Sequence, residues 1–413
     1  RRRLAAYGTS RIPRSFTLDG YAARPMPVRA TKRGDERTPL SGDYDVLICG
    51  ASFAGLAVAR ELGGATRADG TPARVLMLDR YEIGERQTSA CGIPTGWLEA
   101  LGLMGAHRQT FSELVVGTPH GTARWPLPWT FSTFDYPELC NLLAAQGDAE
   151  FETAKVDGRS GNTVHTDRGD LTAPLIVDCL GWRRVLAGTD DDPAYQPPDA
   201  PLSRGLEVHP AGQGNDLAIW IDRSIVPAGY GWSFPARDEL RIGVGSFDPR
   251  FHVKDNTVKL AKDLGSEPIG YQGNWIPHKL RDSVEDGIFF AGDSAGHCLP
   301  LTAEGIRTAL YFGIACGREL RSVLVGEKTR EQGLGAYFAF NAEHEWKFRW
   351  MLRTQKLVPR IHPPLMNRIV GLMEKPALVD WSFRHYWNIA SPEIVTAAPS
   401  PTRRAPVPTS AAA

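Results

Sequence analysis

A short apolar run, Tyr44–Cys49, leads into Gly50-Ala-Ser52-Phe-Ala54-Gly55 and on into small and apolar residues at helical spacing as far as Leu62. Strand, tight turn and helix in that order are the setting in which a glycine loop binds a dinucleotide. Backbone N–H groups and the helix dipole attract the pyrophosphate there. Gly50 permits the turn, and Gly55 lets the helix approach the strand. Ser52 stands where a glycine usually lets backbone meet pyrophosphate, and it is small enough to preserve that approach. A second strand, residues 73–79, ends in Asp79, which is placed to accept a hydrogen bond from a ribose hydroxyl. Between Gly50 and Asp79 lies more than the usual ~20 residues. The excess falls in residues 63–71, whose Gly, Ala and Asp predict a surface loop.

A second constellation lies far downstream. Residues 287–291 read as a strand, followed by Gly292-Asp293-Ser-Ala-Gly296 and then by Pro300-Leu-Thr-Ala-Glu-Gly305-Ile306, which opens a long apolar helix to about residue 325. Asp293 after a strand suits a ribityl hydroxyl. A helix starting near Gly305 turns its positive end toward an electron-rich flavin edge. Two distant loops that hold opposite ends of one extended cofactor point to FAD rather than NAD.

The elements around these loops give the substrate side. Tyr230, Trp232 and Phe234 alternate along a short strand and so share one face. They form either a core stripe or the wall of an apolar tunnel, and Gly243 and Gly245 in the next strand would leave room on one face. Cys91 follows a polar run and precedes Gly92. His297 reads as structural. Residues 343–387 read as helices broken at Pro359, Pro363-Pro364 and Pro376, either capping the substrate domain or lying on a membrane surface.

Composition excludes several functions. The 47 basic and 47 acidic residues cancel, so no net field favours nucleic acid. Six scattered cysteines without a C-x-x-C pair suggest a reducing, cytoplasmic compartment and no metal site. No apolar stretch reaches the roughly 18 residues of a spanning helix. Eleven tryptophans favour a large apolar cavity or a greasy surface. Residues 1–42, rich in Arg, Pro and Ser, predict a disordered arm, and 397–413 a disordered tail.

The order G-x-x-x-A-G, acid, then A-G-D-S-A-G and P-L-T-x-E-G-I resembles the p-hydroxybenzoate-hydroxylase-like FAD superfamily. Tyr230-Gly-Trp232-Ser-Phe234-Pro235 with Gly243-Val-Gly245 is similar to the Y-x-W-x-F-P and G-x-G signature of geranylgeranyl reductases, and Ala90-Cys91-Gly92 to that family's Cys-Gly element. This resemblance implies an α/β fold: a Rossmann-like FAD-binding domain (43–185 and 280–325), an inserted β-sheet substrate domain (186–279) and a C-terminal helical region (326–396).

It further implies that FAD is held by Gly50, Ser52, Ala54, Gly55, Asp79, Arg80, Gly92, Asp293, Gly305 and Ile306. Cys91 would sit near the flavin as proton donor or as a shaping residue. Tyr230, Trp232, Phe234, Gly243 and Gly245 would contact substrate. The implied activity is reduction of carbon–carbon double bonds in an isoprenoid chain of a lipid or quinone. Electrons would come from NAD(P)H or another donor such as a ferredoxin-like protein. A flavin monooxygenase or halogenase is the alternative on the same fold, and a lipid-binding relic without flavin a third reading. Two departures stand out. Asp178 and Gly181 are separated by two residues, and Tyr136 stands where an arginine that contacts FAD is usual, a loss for which Arg80 or Arg86 would compensate.

Overall fold

The computed structural model describes residues 38–87, 89–187 and 202–396. Residues 1–37 of the expected arm, 188–201 and the expected tail from 397 lie outside them. Val46–Cys49, buried at every position, pairs in parallel with Val75–Asp79 on one side and Leu175–Asp178 on the other. The full sheet runs Val284–Glu285, Ile288–Phe290, Leu175–Asp178, Val46–Cys49, Val75–Asp79, Glu150–Thr153. Unbroken apolar runs such as VLIC and LIVD require cover on both faces. Helices Phe53–Leu62 and Ile306–Leu324 cover one face and touch each other through small residues: a Cβ on Gly313 would lie 2.7 Å from the Ala54 carbonyl oxygen. A four-stranded sheet covers the other, with Val164 and Leu171 packed on Leu47, Leu76 and Ile176.

The boundary expected at residue 42 is displaced. Gly42–Asp43 pairs with the Gly169–Thr172 strand, the Leu40 N–H donates to the Arg168 carbonyl at 2.7 Å, and Leu40 packs on the core below. A lone leucine in a Pro-rich stretch carries no periodic signal. Only the sheet edge gives it a partner.

The large sheet also departs from the expected boundaries. Its eight strands run Gln272–Pro277, Leu202–Val208, Glu239–Ser246, Gly229–Ala236, Leu217–Trp220, His107–Thr118, Gly121–Phe134, Gly92–Pro94. The last three come from the stretch assigned to the nucleotide domain. Their hairpin joins the substrate sheet because His107–Thr118 pairs in parallel with Leu217–Trp220, a partner about a hundred residues away that local pattern cannot announce.

Helices Glu345–Leu357, Pro363–Leu372 and Pro376–Trp387 follow, the last two opening on proline, which suits a first turn with no N–H to satisfy. Met366 and Val370 pack on Val116 and Ala123 of the hairpin, and the Trp125 Nε1–H donates to the Val370 carbonyl at 2.9 Å.

Candidate active site

A cavity of about 1600 Å³ is lined jointly by the two glycine loops, the large sheet and the C-terminal helices. Single ligands usually fill 300–1,000 Å³, so this space admits more than one. Ser52, Ala54, Asp79, Arg80, Cys91, Gly92, Asp293, Gly305 and Ile306 all line it, as do Tyr230, Trp232, Phe234 and Gly245. Gly50, Gly55 and Gly243 lie behind its surface.

The first glycine loop is held by close approach. Gly50 has φ +111°, and a Cβ there would lie 2.2 Å from the Cys179 carbonyl oxygen, while a Cβ on Gly55 would lie 1.9 Å from that of Gly50. Asp79 accepts from the Ala51 N–H at 2.9 Å and the Tyr81 N–H at 3.0 Å, so it anchors the loop as well as facing the cavity. Burial raises its pKa, against those two bonds. The Tyr136 hydroxyl lies 3.3 Å from Ser52 Oγ, tying the substituted loop position to the position where an arginine is usual. Arg80 and Arg86 both reach the lining, and Arg86 donates to the Tyr81 hydroxyl at 2.8 Å.

At the other loop, burial pushes the Asp293 pKa up to about 6, with Arg281 opposing. Asp178, in the departing motif, is a buried strut. It accepts from the N–H groups of Leu180 and Leu186 and from Ser294 Oγ, all within 2.7–2.8 Å, and so joins the end of one strand to the Asp293 turn. His297 is structural. Its Nδ1 accepts from the Gly292 N–H, so Nε2–H donates to Asn341, and burial lowers its pKa to about 3.

The aromatic strand corrects one expectation. Tyr230, Trp232 and Phe234 lie directly opposite Gly245, Gly243 and Arg241. Gly243 does not open space for a ligand: a Cβ there would lie 2.1 Å from the Trp232 ring, which fills the vacancy itself. Gly245 does face the cavity, with Trp232 3.4 Å from its would-be Cβ. The indole lies across two glycines and its Nε1–H reaches Glu207, on the strand beyond theirs, at 3.3 Å. Tyr230 donates to the Thr302 carbonyl at 2.5 Å and joins this strand to the loop that precedes helix Ile306–Leu324.

Cys91 has φ +53°, a strained value for a residue with a side chain. Its thiol is buried against the wall, donates to the Ser89 carbonyl at 3.2 Å, and has a pKa pushed by burial up to about 12. Sγ therefore keeps its proton, so Cys91 is no thiolate nucleophile.

The sequence reading missed what holds Cys91 in place. Arg241, buried, donates to the carbonyls of Ala90, Cys91 and Phe134 at 3.0–3.3 Å and to Glu239 at 2.8 Å. His209 bridges Glu239 at 3.2 Å and Glu207 at 3.0 Å. Four charges thus run in alternation from Trp232 to the Cys91 turn. The available signal was Arg241 and Glu207 inside otherwise apolar or glycine-rich strands, where a charge must be paired. Burial opposes charge on His209, but Glu207 and Glu239 outweigh it and raise its pKa to about 9. A raised pKa stabilises the fold below 6.5 and loses that contribution as pH climbs through 9, a span worth about 3 kcal/mol. His209→Gln should melt several degrees below the parent at pH 6, with the gap closing by pH 10. Scanning calorimetry across that range checks it, and a constant gap removes the charged imidazole from the account.

Comparison with known proteins narrows the assignment. No family profile matches the chain. A digeranylgeranylglycerophospholipid reductase of Methanothermobacter thermautotrophicus is 25% identical over 344 residues, covering 71% of this chain and 81% of that protein. A geranylgeranyl diphosphate reductase of Rhodobacter capsulatus is 34% identical over 204 residues, 45% of this chain and 50% of that one. The chain is similar to geranylgeranyl reductases. A geranylgeranyl bacteriochlorophyll reductase-like protein of Thermoplasma acidophilum shares the reductase-like fold with a TM-score of 0.72 at 16% identity, over 86% of this chain and 98% of that one. A probable FAD-dependent monooxygenase of Pseudomonas aeruginosa superposes less well, with a TM-score of 0.56 at 17% identity over 83% and 100%. That second likeness shows how widely the reductase-like fold is shared.

Proposed function

We propose that the chain binds FAD across its two loops and reduces carbon–carbon double bonds in the isoprenoid chain of a lipid or quinone. The observation that carries this reading is continuity. One cavity joins the glycine loop and Asp293 to a wall of Tyr230, Trp232, Phe234, Trp129 and Phe131, and then to the C-terminal helices. An FAD fits the residues present. Gly50 and Gly55 let the loop pack against the Cys179 and Gly50 carbonyls so that Ser52 and Ala54 reach the lining, Asp79 and Asp293 are carboxylates at its two ends, and helix Ile306–Leu324 starts at the lining.

Bound and reduced, FAD supplies hydride to an alkene carbon. The chain's residues do the rest. Aromatic and aliphatic side chains exclude water and orient a flexible substrate, the main assistance an unactivated alkene needs. Cys91 holds a proton at Sγ beside the cavity. Arg241 fixes the carbonyls on either side of that thiol. The reductant of the flavin is NAD(P)H or a ferredoxin-like donor.

The test is anaerobic incubation of chemically reduced protein with C10 and C20 prenyl substrates (lengths chosen to span the pocket scale), read by mass for added hydrogen pairs. Turnover only with oxygen and an aromatic compound would replace the reductase reading by a monooxygenase. Cys91→Ser should keep its flavin and slow single-turnover reduction by on the order of a hundredfold, the usual weight of a positioned acid. An unchanged rate would assign the thiol to packing.

A further inference from the structure

The C-terminal helices have a face that the fold leaves uncovered. Of the twelve exposed large apolar side chains among the described residues, eight lie in residues 345–387. Trp346 and Trp350 are each 63% exposed and four apart on one helix; Trp381 is 64% exposed on another. Leu365, Ile369 and Leu372 share a face of the helix between them at i, i+4, i+7 spacing. Exposed tryptophans in such number are unusual on a soluble surface.

The charges around them are one-sided. Residues 345–387 carry eight Lys and Arg against three Asp and Glu, where the whole chain balances 47 against 47. Arg353, Lys356, Arg360, Arg368 and Lys375 are exposed and make no ion pair among the described residues. The same face is the rim of the cavity: Trp346, Trp350, Ile369 and Trp381 are exposed and also line it.

We infer that this face docks on an anionic lipid bilayer, with the tryptophans at headgroup depth and the cavity opening into the apolar phase. Indole rings settle at membrane interfaces, and interleaved basic residues are drawn to anionic headgroups. The helices are 10–13 residues long, too short to span the ~20-residue apolar core and suited to lie in its plane. A second copy fits poorly, because a two-fold contact would set this basic surface against itself. The lipid contact stands on exposure and charge alone; the entry of a prenyl chain through the rim rests on the reductase reading above.

The full-length chain should co-sediment with vesicles of phosphatidylcholine plus phosphatidylglycerol far better than with phosphatidylcholine alone, and salt should weaken it. Arg353→Glu with Arg360→Glu and Arg368→Glu should lower that binding at least about tenfold. These residues lie outside the cavity, so turnover of a dispersed C10 substrate should persist while turnover of vesicle-embedded substrate falls. Trp346→Ala with Trp350→Ala should remove the blue shift of tryptophan emission on vesicles. The proposal is overturned if the parent prefers neither vesicle or if the charge-reversed variant binds equally. It also falls if gel filtration shows a dimer that the tryptophan variant dissolves, or if binding follows an acidic protein and not lipid. Vesicle binding without reduction of any prenyl chain would leave docking intact and remove the proposed function.

Discussion

Asp79→Ala is expected to purify with little flavin. The carboxylate holds the glycine loop through the Ala51 N–H at 2.9 Å and its own turn through the Tyr81 N–H at 3.0 Å and, in the proposed complex, accepts a ribose hydroxyl as well. A hydrogen bond to a charged group is worth about 1.5–3 kcal/mol, so losing the ribose contact alone weakens FAD by roughly ten- to a hundredfold, and a glycine loop released from the Ala51 N–H contact adds to that loss. Asp79→Asn keeps the shape and one acceptor and should retain an intermediate amount. Gly55→Val reaches the same end by collision, since even a methyl group would sit 1.9 Å from the Gly50 oxygen. Flavin absorbance per chain in melting-matched preparations is the measurement. Full flavin content in Asp79→Ala would show that the second strand does not carry the ribose contact.

Gly245→Leu should discriminate between chain lengths. Gly245 faces the cavity opposite Tyr230, and a Cβ there would lie 3.4 Å from the Trp232 ring with no other atom within 4 Å. Displacing two or three methylenes of a bound chain costs about 0.8 kcal/mol each, so C20 binding should weaken roughly thirtyfold and C10 binding far less. Flavin content should hold, because this strand lies outside both loops. Gly243→Ala serves as the contrast. It meets Trp232 at once, so it should damage both substrates alike by moving the indole. Equal losses on C10 and C20 in Gly245→Leu would mean that the long chain runs elsewhere.

The two predictions stand on different kinds of information, and this marks how far the sequence reached. Period and residue type alone placed the strands near 44–49, 73–79 and 287–291, because apolar runs such as VLIC and VLML have nowhere to go but a doubly covered sheet. They also placed Gly50, Asp79 and Asp293 at or just past strand ends and Gly55 in the helix that follows, and put Tyr230, Trp232 and Phe234 on one face, since a strand alternates by rule. Tertiary structure alone decided what those faces meet. Which glycine is a vacancy and which a seat for Trp232 depends on the rotamer of a residue on the partner strand. The charge chain from Glu207 through His209 and Glu239 to Arg241 exists only because two separate segments, 207–209 and 239–241, come into register. The capture of residues 92–134 by the large sheet and of Leu40 by the small one are likewise long-range pairings. Local sequence records what a residue can do; loop closure across about a hundred residues determines which partner it does it with.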